Sequence, residues 1–401
     1  MKSIALFVLL ILLLASVVAQ LGSPAFAGAP GTVSFKISTI TSTLVYPASL
    51  AAGDLSGNGI PDLAVVGVNG PLSYAMGKGD GTFGSWQFGD SGSQSLYVTL
   101  ADVKGNGKLD SIVVDGNNYG LLFIGFGNGH GGFNGEKIIQ AYDYPVRVAV
   151  ADLNGDGVPD LVGIDGGSIL DNVFVKLGKM PQGFGPFHYF SVGGCNPSSI
   201  VVGDLNHDNI PDLVVADTGC KNNIGHLAVL LGKGDGTFQK PVTYEAGEGP
   251  LSLVLADFNG DGNLDVAVAT VQGVEVLLGN GDGTFSRPKL YAKGPGPISV
   301  VAADFNGDGF IDLAATENNN VIVLLGNGDG TFQPPVRFHC KDCGQLITAD
   351  FNVDGKPDLA SVNSYYGTVT ILLNTTPFPT PRPVAFALKR GFGGWPGAGL
   401  N

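Results

Sequence analysis

A nine-residue pattern that recurs seven times constrains the fold of this chain more than any other feature. In its clearest copy, from Asp304 to Asp312, side chains that carry oxygen occupy the first, third, fifth and ninth positions, and glycine occupies the sixth. The copies begin at Asp54, Asp102, Asp152, Asp204, Asp257, Asp304 and Asp350. Successive starts are 48, 50, 52, 53, 47 and 46 residues apart, and periods of this length indicate a propeller or a solenoid.

The chemistry of the pattern favours a calcium-binding loop. Alternate acidic and amide residues on a tight turn direct their oxygens toward one point, and Ca2+ takes six to eight oxygen ligands. An EF-hand would need glutamate at position twelve. That position holds Val65, Val113, Gly163, Val215, Val268, Ala315 or Ser361, so an EF-hand is excluded. The alternative is a turn that Asx hydrogen bonds stabilise without metal.

The composition and one closely examined repeat predict the fold class. Glycine accounts for 63 of 401 residues, and β-branched runs without a helical period indicate many short strands joined by tight turns. In the sixth repeat we expect strands at residues 298–303, 313–316, 321–325 and 336–338. Four strands per repeat form a propeller blade. The sequence therefore predicts an all-β protein, a seven-bladed β-propeller with four-stranded antiparallel blades.

Two positions of the repeat have the same kind of residue in all seven copies, as such a ring would require. The residue before the first aspartate is always small, and the second loop residue is always apolar, which predicts that each loop is anchored between blades. The small residues are Gly53, Ala101, Ala151, Gly203, Ala256, Ala303 and Ala349, and the apolar residues are Leu55, Val103, Leu153, Leu205, Phe258, Phe305 and Phe351.

A second motif, Gly-Asn-Gly-Asp-Gly-Thr-Phe or close to it, predicts a hairpin after the third strand. It begins at Gly77, Gly127, Gly232, Gly279 and Gly326, and its phenylalanine is expected to return to the core. The third repeat keeps only Gly178 and Gly183-Phe184, and the seventh stops at Asn374. We expect residues 33–38 to supply the outer strand that the seventh repeat lacks, because such a closure removes exposed sheet edges.

The two ends of the chain have other compositions. Residues 1–27 combine Lys2, a short apolar run and a small-residue cleavage site, which predicts a signal peptide and a secreted, extracellular or cell-surface protein. An uncleaved N-terminal anchor is the alternative. Residues 28–374 are assigned to the propeller. Residues 375–401 are rich in proline and glycine and are expected to form a loose tail; the alternative is that they lie along the last blade.

The charge of the chain is concentrated in the repeated loops. The formal net charge is −14, and 19 of the 35 acidic residues lie in the seven loops. Seven divalent ions would balance that charge. A nucleic-acid partner would require clustered Lys and Arg, whereas the 21 basic residues are scattered. We therefore expect no nucleic-acid partner, and no membrane span in the mature chain.

Four cysteines are expected to form disulfides, because an even count in an exported chain favours them. Cys195 and Cys220 bracket the loop of one repeat, and Cys340 and Cys343 can close a small turn. A zinc site that includes His339 would need four ligands, and a thioredoxin-like redox pair would need a βα context. Both remain as alternatives for the second pair.

The loop and the hairpin together resemble the FG-GAP or VCBS repeat, the unit of the integrin α-chain β-propeller. The resemblance covers about residues 32–374. It implies Ca2+ in the loops that join the first two strands of each blade. It also implies that the side chains of positions one, three, five and nine are ligands, together with the backbone carbonyl of position seven.

Transferred to this sequence, the resemblance implies four to seven bound ions. Four loops match fully: Asp152, Asn154, Asp156 and Asp160; Asp257, Asn259, Asp261 and Asp265; Asp304, Asn306, Asp308 and Asp312; Asp350, Asn352, Asp354 and Asp358. The fourth loop keeps Asp204, Asn206, Asp208 and Asp212 but has Asn209 where glycine is usual, and asparagine tolerates a left-handed backbone. The first loop offers Asp54, Ser56, Asn58 and Asp62. The second loop has Lys104 at position three, so it is the least suited to an ion, and its lysine would act as an internal counter-ion.

Three functions fit these features. The first is a secreted, calcium-binding, adhesion-type module that binds an extracellular protein or glycan as a monomer and without catalysis. The second is a lectin-like propeller, in which aromatic residues stack on sugar rings or, alternatively, only pack between blades. These residues are Trp86, Tyr97, Tyr119, Tyr142, Tyr189, Tyr244, Tyr291, Tyr365 and Tyr366. The third is a calcium-dependent polysaccharide lyase, which a basic cluster at one mouth of the channel would favour.

Overall fold

The seven repeats form seven four-stranded antiparallel sheets arranged in a ring. The computed structural model describes residues 32–41, 46–68, 70–116, 120–141, 144–166, 172–179, 183–219, 224–294 and 296–378. Those residues contain thirty strands and no helix. The structure thus confirms the predicted all-β, seven-bladed propeller. The expected signal peptide and most of the expected C-terminal tail lie outside the described residues.

The first three blades contain fourteen of these strands. Blade 1 comprises β2 (Pro47–Gly53), β3 (Asp62–Gly67), β4 (Leu72–Ala75) and β5 (Gln87–Gly89). Blade 2 comprises β6 (Ser95–Ala101), β7 (Asp110–Asp115), β8 (Leu121–Gly127) and β9 (Phe133–Gln140). Blade 3 comprises β10 (Pro145–Ala151), β11 (Asp160–Asp165), β12 (Asn172–Lys176) and β15 (His188–Ser191), with β13 (Gly178–Lys179) and β14 (Gly183–Phe184) as a separate short hairpin.

The other four blades complete the ring. Blade 4 comprises β16 (Pro197–Gly203), β17 (Asp212–Asp217), β18 (Ile224–Leu230) and β19 (Val242–Glu248). Blade 5 comprises β20 (Ser252–Ala256), β21 (Asp265–Thr270), β22 (Gly273–Leu277) and β23 (Lys289–Tyr291). Blade 6 comprises β24 (Val300–Ala303), β25 (Asp312–Glu317), β26 (Asn320–Leu324) and β27 (Val336–His339). Blade 7 comprises β28 (Leu346–Ala349), β29 (Asp358–Asn363), β30 (Thr368–Asn374) and the N-terminal strand β1 (Phe35–Thr41).

The N-terminal strand closes the ring, as the sequence predicts. Strand β1 pairs antiparallel with β30, from Phe35 opposite Asn374 to Thr41 opposite Thr368. The strand begins two residues later than the predicted segment 33–38 and extends further. Val33, which precedes it, is nevertheless buried in the core of blade 7.

The second strand of each blade forms the densest part of the core. All six residues of β25, for example, are buried, as are those of the other six second strands. A sheet that is covered on both faces favours continuous apolar runs over alternation. The outer strands, such as β27, are mostly exposed. The cores lie between neighbouring blades, since the buried clusters combine residues of adjacent repeats.

A column of polar side chains ties the first strands of neighbouring blades together. It lies five residues before each loop and comprises Ser49, Tyr97, Arg147, Ser199, Ser252, Ser299 and Gln345. Backbone N–H groups of the following blade donate to Ser49 (3.1 Å), Ser252 (3.3 Å), Ser299 (3.0 Å) and Gln345 (3.0 Å). The last of these bonds joins blade 7 to blade 1, so the column closes with the ring.

The segment that follows β30 lies along the last blades. The N–H of Thr375 donates to the Ser34 carbonyl at 2.9 Å, and Thr376 is buried. Phe378 packs against Gly307 in the loop of blade 6. In the described part of the chain, no helix has the length and apolar character needed to cross a membrane.

Candidate metal-binding loops

Each of the seven loops connects the first strand of a blade to the second. The loop from Asp304 to Asp312, for example, joins β24 to β25. The first strands of neighbouring blades contact each other around the axis, and every loop follows such a strand. All seven loops therefore lie at the same end of the ring, away from the polar column.

The loop of blade 6 shows how the sequence pattern organises its own oxygens. Asp304 accepts hydrogen bonds from the N–H groups of Gly307 (2.7 Å), Asp308 (3.2 Å) and Gly309 (2.8 Å). Asn306 donates from its side-chain amide to Asp308 at 2.8 Å. The first, third and fifth side chains are thus gathered over one turn by Asx-type hydrogen bonds.

The ninth aspartate has a structural role that the sequence pattern did not reveal. One carboxylate oxygen accepts the N–H of the second loop residue at 2.8–3.1 Å. The other accepts an N–H at the end of the third strand or just after it, at 2.6–2.8 Å, from the hairpin glycine in blades 1–6 and from Asn374 in blade 7. All seven of these aspartates are fully buried. They are Asp62, Asp110, Asp160, Asp212, Asp265, Asp312 and Asp358.

This cross-link requires close backbone approach at the glycine that donates. A Cβ on Gly326 would lie 2.3 Å from the Ile311 carbonyl oxygen, and the equivalent glycines of blades 1–5 are equally crowded. Only glycine fits there. One clue in the sequence was that the ninth aspartate never varies among the seven loops, whereas positions three and five do.

The ninth aspartates lie where burial disfavours their charged form. Burial raises the pKa of the ninth carboxyl to about 6 in four loops, to about 7 in Asp265 and to about 8 in Asp312. The other acidic side chains of the same loop raise it further, whereas the two backbone donors lower it. A cation bound in the loop would favour the charged form of this carboxyl and lower its pKa.

The donor set fits a calcium ion. The side chains at positions one, three, five and nine offer only oxygen, which Ca2+ prefers. Each oxygen of the ninth carboxylate in blade 6 accepts one backbone N–H and keeps a further lone pair for a ligand. Among the described residues, no three acidic, histidine or cysteine side chains stand already assembled as a metal cluster. In blade 6 the Asp304 carboxylate accepts three backbone N–H groups of its own loop.

Two loops depart from the full set in informative ways. In the second loop, Nζ of Lys104 lies 3.5 Å from the centre of the Phe126 ring. Burial raises the pKa of the Asp110 carboxyl to about 6, and the positive charge of Lys104 offsets this rise in part. In the fourth loop, Asn209 has φ of 61°, the left-handed conformation expected at this position.

The predicted anchoring of the loops between blades is confirmed. All seven second-position residues are buried, with exposed fractions of at most 4%. In four loops the carbonyl of this residue accepts a backbone N–H from the hairpin of the following blade, as from Gly330 to Phe258 at 3.0 Å. The hairpin phenylalanines also reach this position, and Phe332 packs against Phe258 with ring centroids 5.5 Å apart.

The aromatic residues that were candidates for sugar stacking divide into two groups. Tyr244 and Tyr291 are packed against hairpin phenylalanines, at 5.8 and 5.2 Å between ring centroids. Trp86 packs against the core between blades 7 and 1, and Tyr97 lies beside Arg147 in the polar column. Exposed rings belong to Tyr189, Tyr365 and Tyr366. Tyr119 and Tyr142 lie outside the described residues.

The cysteines lie near the other end of the ring. Cys340 and Cys343 form a disulfide, with Cα atoms 5.7 Å apart. Cys195 is also disulfide-bonded, and Cys220, its expected partner, lies outside the described residues.

Comparison with known proteins identifies one protein family by sequence and several solved structures with a similar fold. The FG-GAP-like repeat profile matches residues 54–113, 102–163, 204–268, 257–315 and 304–361. No curated protein matches the chain by sequence.

Among solved structures, the BP39L lectin from Burkholderia pseudomallei is 15% identical with a TM-score of 0.62, and the match covers 84% of this chain and 99% of the lectin. An Agrocybe aegerita lectin that recognises non-reducing terminal N-acetylglucosamine is 22% identical with a TM-score of 0.54, covering 86% and 87%. BBS1N, solved in complex with ARL6DN, is 13% identical with a TM-score of 0.60, covering 86% and 98%. At these identities, the similarity shows a common propeller fold.

Proposed function

The chain belongs to the FG-GAP-like repeat family, and from this premise we propose that it is a secreted, calcium-binding β-propeller that binds an extracellular protein or glycan without catalysis. The observation that carries the proposal is the same oxygen-rich loop at one end of all seven blades. Five of these loops have acidic or amide oxygens at all four ligand positions and three carboxylates each.

The residues of each loop explain how binding would be supported. Asp304, Asn306 and Asp308 are gathered over one turn, and Asp312 connects this turn to the hairpin of its blade. Bound Ca2+ would supply the positive charge that these carboxylates lack. The loops and hairpins would then keep one conformation. The surface that they form could bind a partner with little loss of conformational entropy.

A binding role also agrees with what similar folds do. The lectin from Agrocybe aegerita recognises a terminal sugar, and BBS1N is found with a protein partner. For this chain, the predicted signal peptide supports secretion, and a monomer is part of the proposal. Within the described residues, Arg147 is the one basic member of the polar column, which gives the lyase alternative little support.

Arrays of extracellular proteins and glycans test the proposal directly. The purified mature chain should bind at least one class of partner in millimolar Ca2+ and bind it more weakly in EDTA. A chain that binds neither class in either condition, or that cleaves a polysaccharide on the array, would contradict the proposal.

A further inference from the structure

A cavity lies between the second and third blades. It has a volume of about 580 Å³, within the range of small-molecule sites. Strand β9 of blade 2 contributes Lys137, and the end of β12 in blade 3 contributes Lys176. The segment through β14 and β15 contributes Phe184, Phe187 and Tyr189. Two cations and three aromatic rings thus line one cavity.

Lys176 occupies a position that is apolar or small in every other blade. It pairs with Leu161, the first residue after the ninth aspartate of its loop. The residues at the same register in the other blades are Ala75, Gly125, Leu230, Leu277, Leu324 and Leu372. Lys176 is only 8% exposed, and lysine is rarely buried to this extent without a charge partner. The third blade therefore has a cationic side chain at a position where the other six blades have an apolar or small residue.

The charge of this lysine is incompletely compensated. Its Nζ donates to the Gly185 carbonyl at 2.7 Å and lies 3.9 Å from the centre of the Phe187 ring. Among the described residues, neither Lys176 nor Lys137 forms an ion pair. Burial lowers the pKa of the Lys176 ammonium, and the positive charge of Lys137 lowers it further. An anion between the two ammonium groups would relieve both effects.

The aromatic residues give the cavity a flat apolar wall. Phe187 and Tyr189 are stacked, with ring centroids 5.8 Å apart and planes inclined by 18°. Tyr189 is 41% exposed, and its hydroxyl donates to the Ala141 carbonyl of blade 2 at 3.2 Å. Nζ of Lys137 lies 5.7 Å from the centre of the Phe184 ring. An apolar ring face beside fixed cations suits a ligand that is flat, partly apolar and negatively charged.

We propose that this cavity binds a carboxylate-bearing sugar, the hexuronate unit of an acidic glycan. The carboxylate would lie between the ammonium groups of Lys137 and Lys176, and the C–H face of the sugar ring would lie against Tyr189. This inference rests on the proposed function and narrows it, because it names both the ligand class and the junction of blades that recognises it.

Calorimetric titration of the mature chain at a fixed Ca2+ concentration tests the ligand class. The probes are a panel of hexuronate disaccharides, their methyl esters, neutral disaccharides and inorganic phosphate. We expect binding of at least one hexuronate and at least about tenfold weaker binding of its ester, because a hydrogen bond to a charged group is lost. Equal affinity for the ester, equal affinity for phosphate, or no hexuronate binding would each overturn the proposal.

Two variants with the same change of charge test the location. Lys176→Leu introduces the residue found at this register in blades 4–7, so the fold should be kept. Lys293→Leu removes an exposed lysine of blade 5 and is the control. We expect hexuronate affinity to fall at least about tenfold in Lys176→Leu and to change less than twofold in the control. Tyr189→Ala should weaken hexuronate binding and leave any phosphate binding unchanged.

The outcomes also separate this inference from the proposed function. If wild type and Lys176→Leu bind hexuronate equally, the cavity is not the site, although the protein still binds glycans. If arrays find a protein or neutral glycan but no acidic one, this inference is wrong and the proposed function stands. If arrays find no partner of any class, both are wrong.

Discussion

Replacing Ser299 by alanine tests whether the polar column holds the blades together. The Ser299 hydroxyl accepts the Leu346 N–H of the next blade at 3.0 Å. Both residues are buried, with exposed fractions of 4% and 2%. Ser199 occupies the same position in blade 4 and is 2% exposed, yet the structure shows no side-chain hydrogen bond for it among the described residues. Ser199→Ala is therefore a matched control.

The loss of stability that each substitution causes depends on whether it leaves a buried hydrogen-bond donor without an acceptor. Ser299→Ala removes the acceptor of a buried N–H and leaves that donor unsatisfied, which costs about 1–3 kcal/mol. Ser199→Ala removes one buried oxygen and leaves no donor without a partner, so its cost should stay below about 0.5 kcal/mol. Because the column bonds lie at separate blade junctions, Ser49→Ala and Ser299→Ala should be additive within about 0.5 kcal/mol.

Urea unfolding followed by circular dichroism measures the difference. We expect a lower midpoint for Ser299→Ala at an unchanged slope, and almost no change for Ser199→Ala. Equal midpoints for the two variants would refute the reasoning. In that case the Leu346 N–H has another partner, and the column does not stabilise the ring.

Three further predictions concern single sites. Val353 is a β-branched residue with φ of 56°, a left-handed conformation that strains its backbone. Val353→Gly should therefore raise the free energy of unfolding in urea by about 1 kcal/mol. A lower free energy of unfolding would show that the backbone at Val353 is not strained. Burial raises the pKa of Glu275, and its Oε2 has no partner among the described residues. The charged carboxylate therefore destabilises the folded protein at pH values above the pKa that Glu275 has in the folded state, and this cost is absent at pH values below its pKa in the unfolded state. Glu275→Gln should stabilise the protein by about 1–2 kcal/mol at pH 8 and not at pH 4. An equal effect at both pH values would contradict this prediction. The double change Lys104→Asn and Asn106→Asp should complete the second loop and add one calcium ion per chain, measured by mass spectrometry of the metal content; unchanged content would show that these positions do not limit binding.

The sequence was sufficient to predict the number of blades, the four strands in each and the strand that closes the ring. These features follow from local patterns, such as the strand–loop–strand order around Asp304 and the missing hairpin after Asn374. The burial of the second-position residues was predictable for the same reason, because an apolar residue inside a polar loop must pack somewhere.

Features that depend on contacts between repeats were not predictable. The double hydrogen bonding of Asp312 joins a loop to a hairpin 14 residues away, and the bond between Ser299 and Leu346 spans 47 residues. In the sequence, Lys176 is the last residue of an ordinary strand. The strand pairing shows that four other blades have leucine at the same position. Only the arrangement of the strands reveals such departures from the repeat.

Thermal unfolding of the purified mature chain in EDTA and in millimolar Ca2+, together with its metal content, tests the account most directly. Ions that bind the folded state stabilise it by mass action. We predict a clear rise in the midpoint with Ca2+ and about four to seven ions per chain. An unchanged midpoint and no bound metal would contradict the account, and the seven loops would then be turns that hydrogen bonds alone maintain.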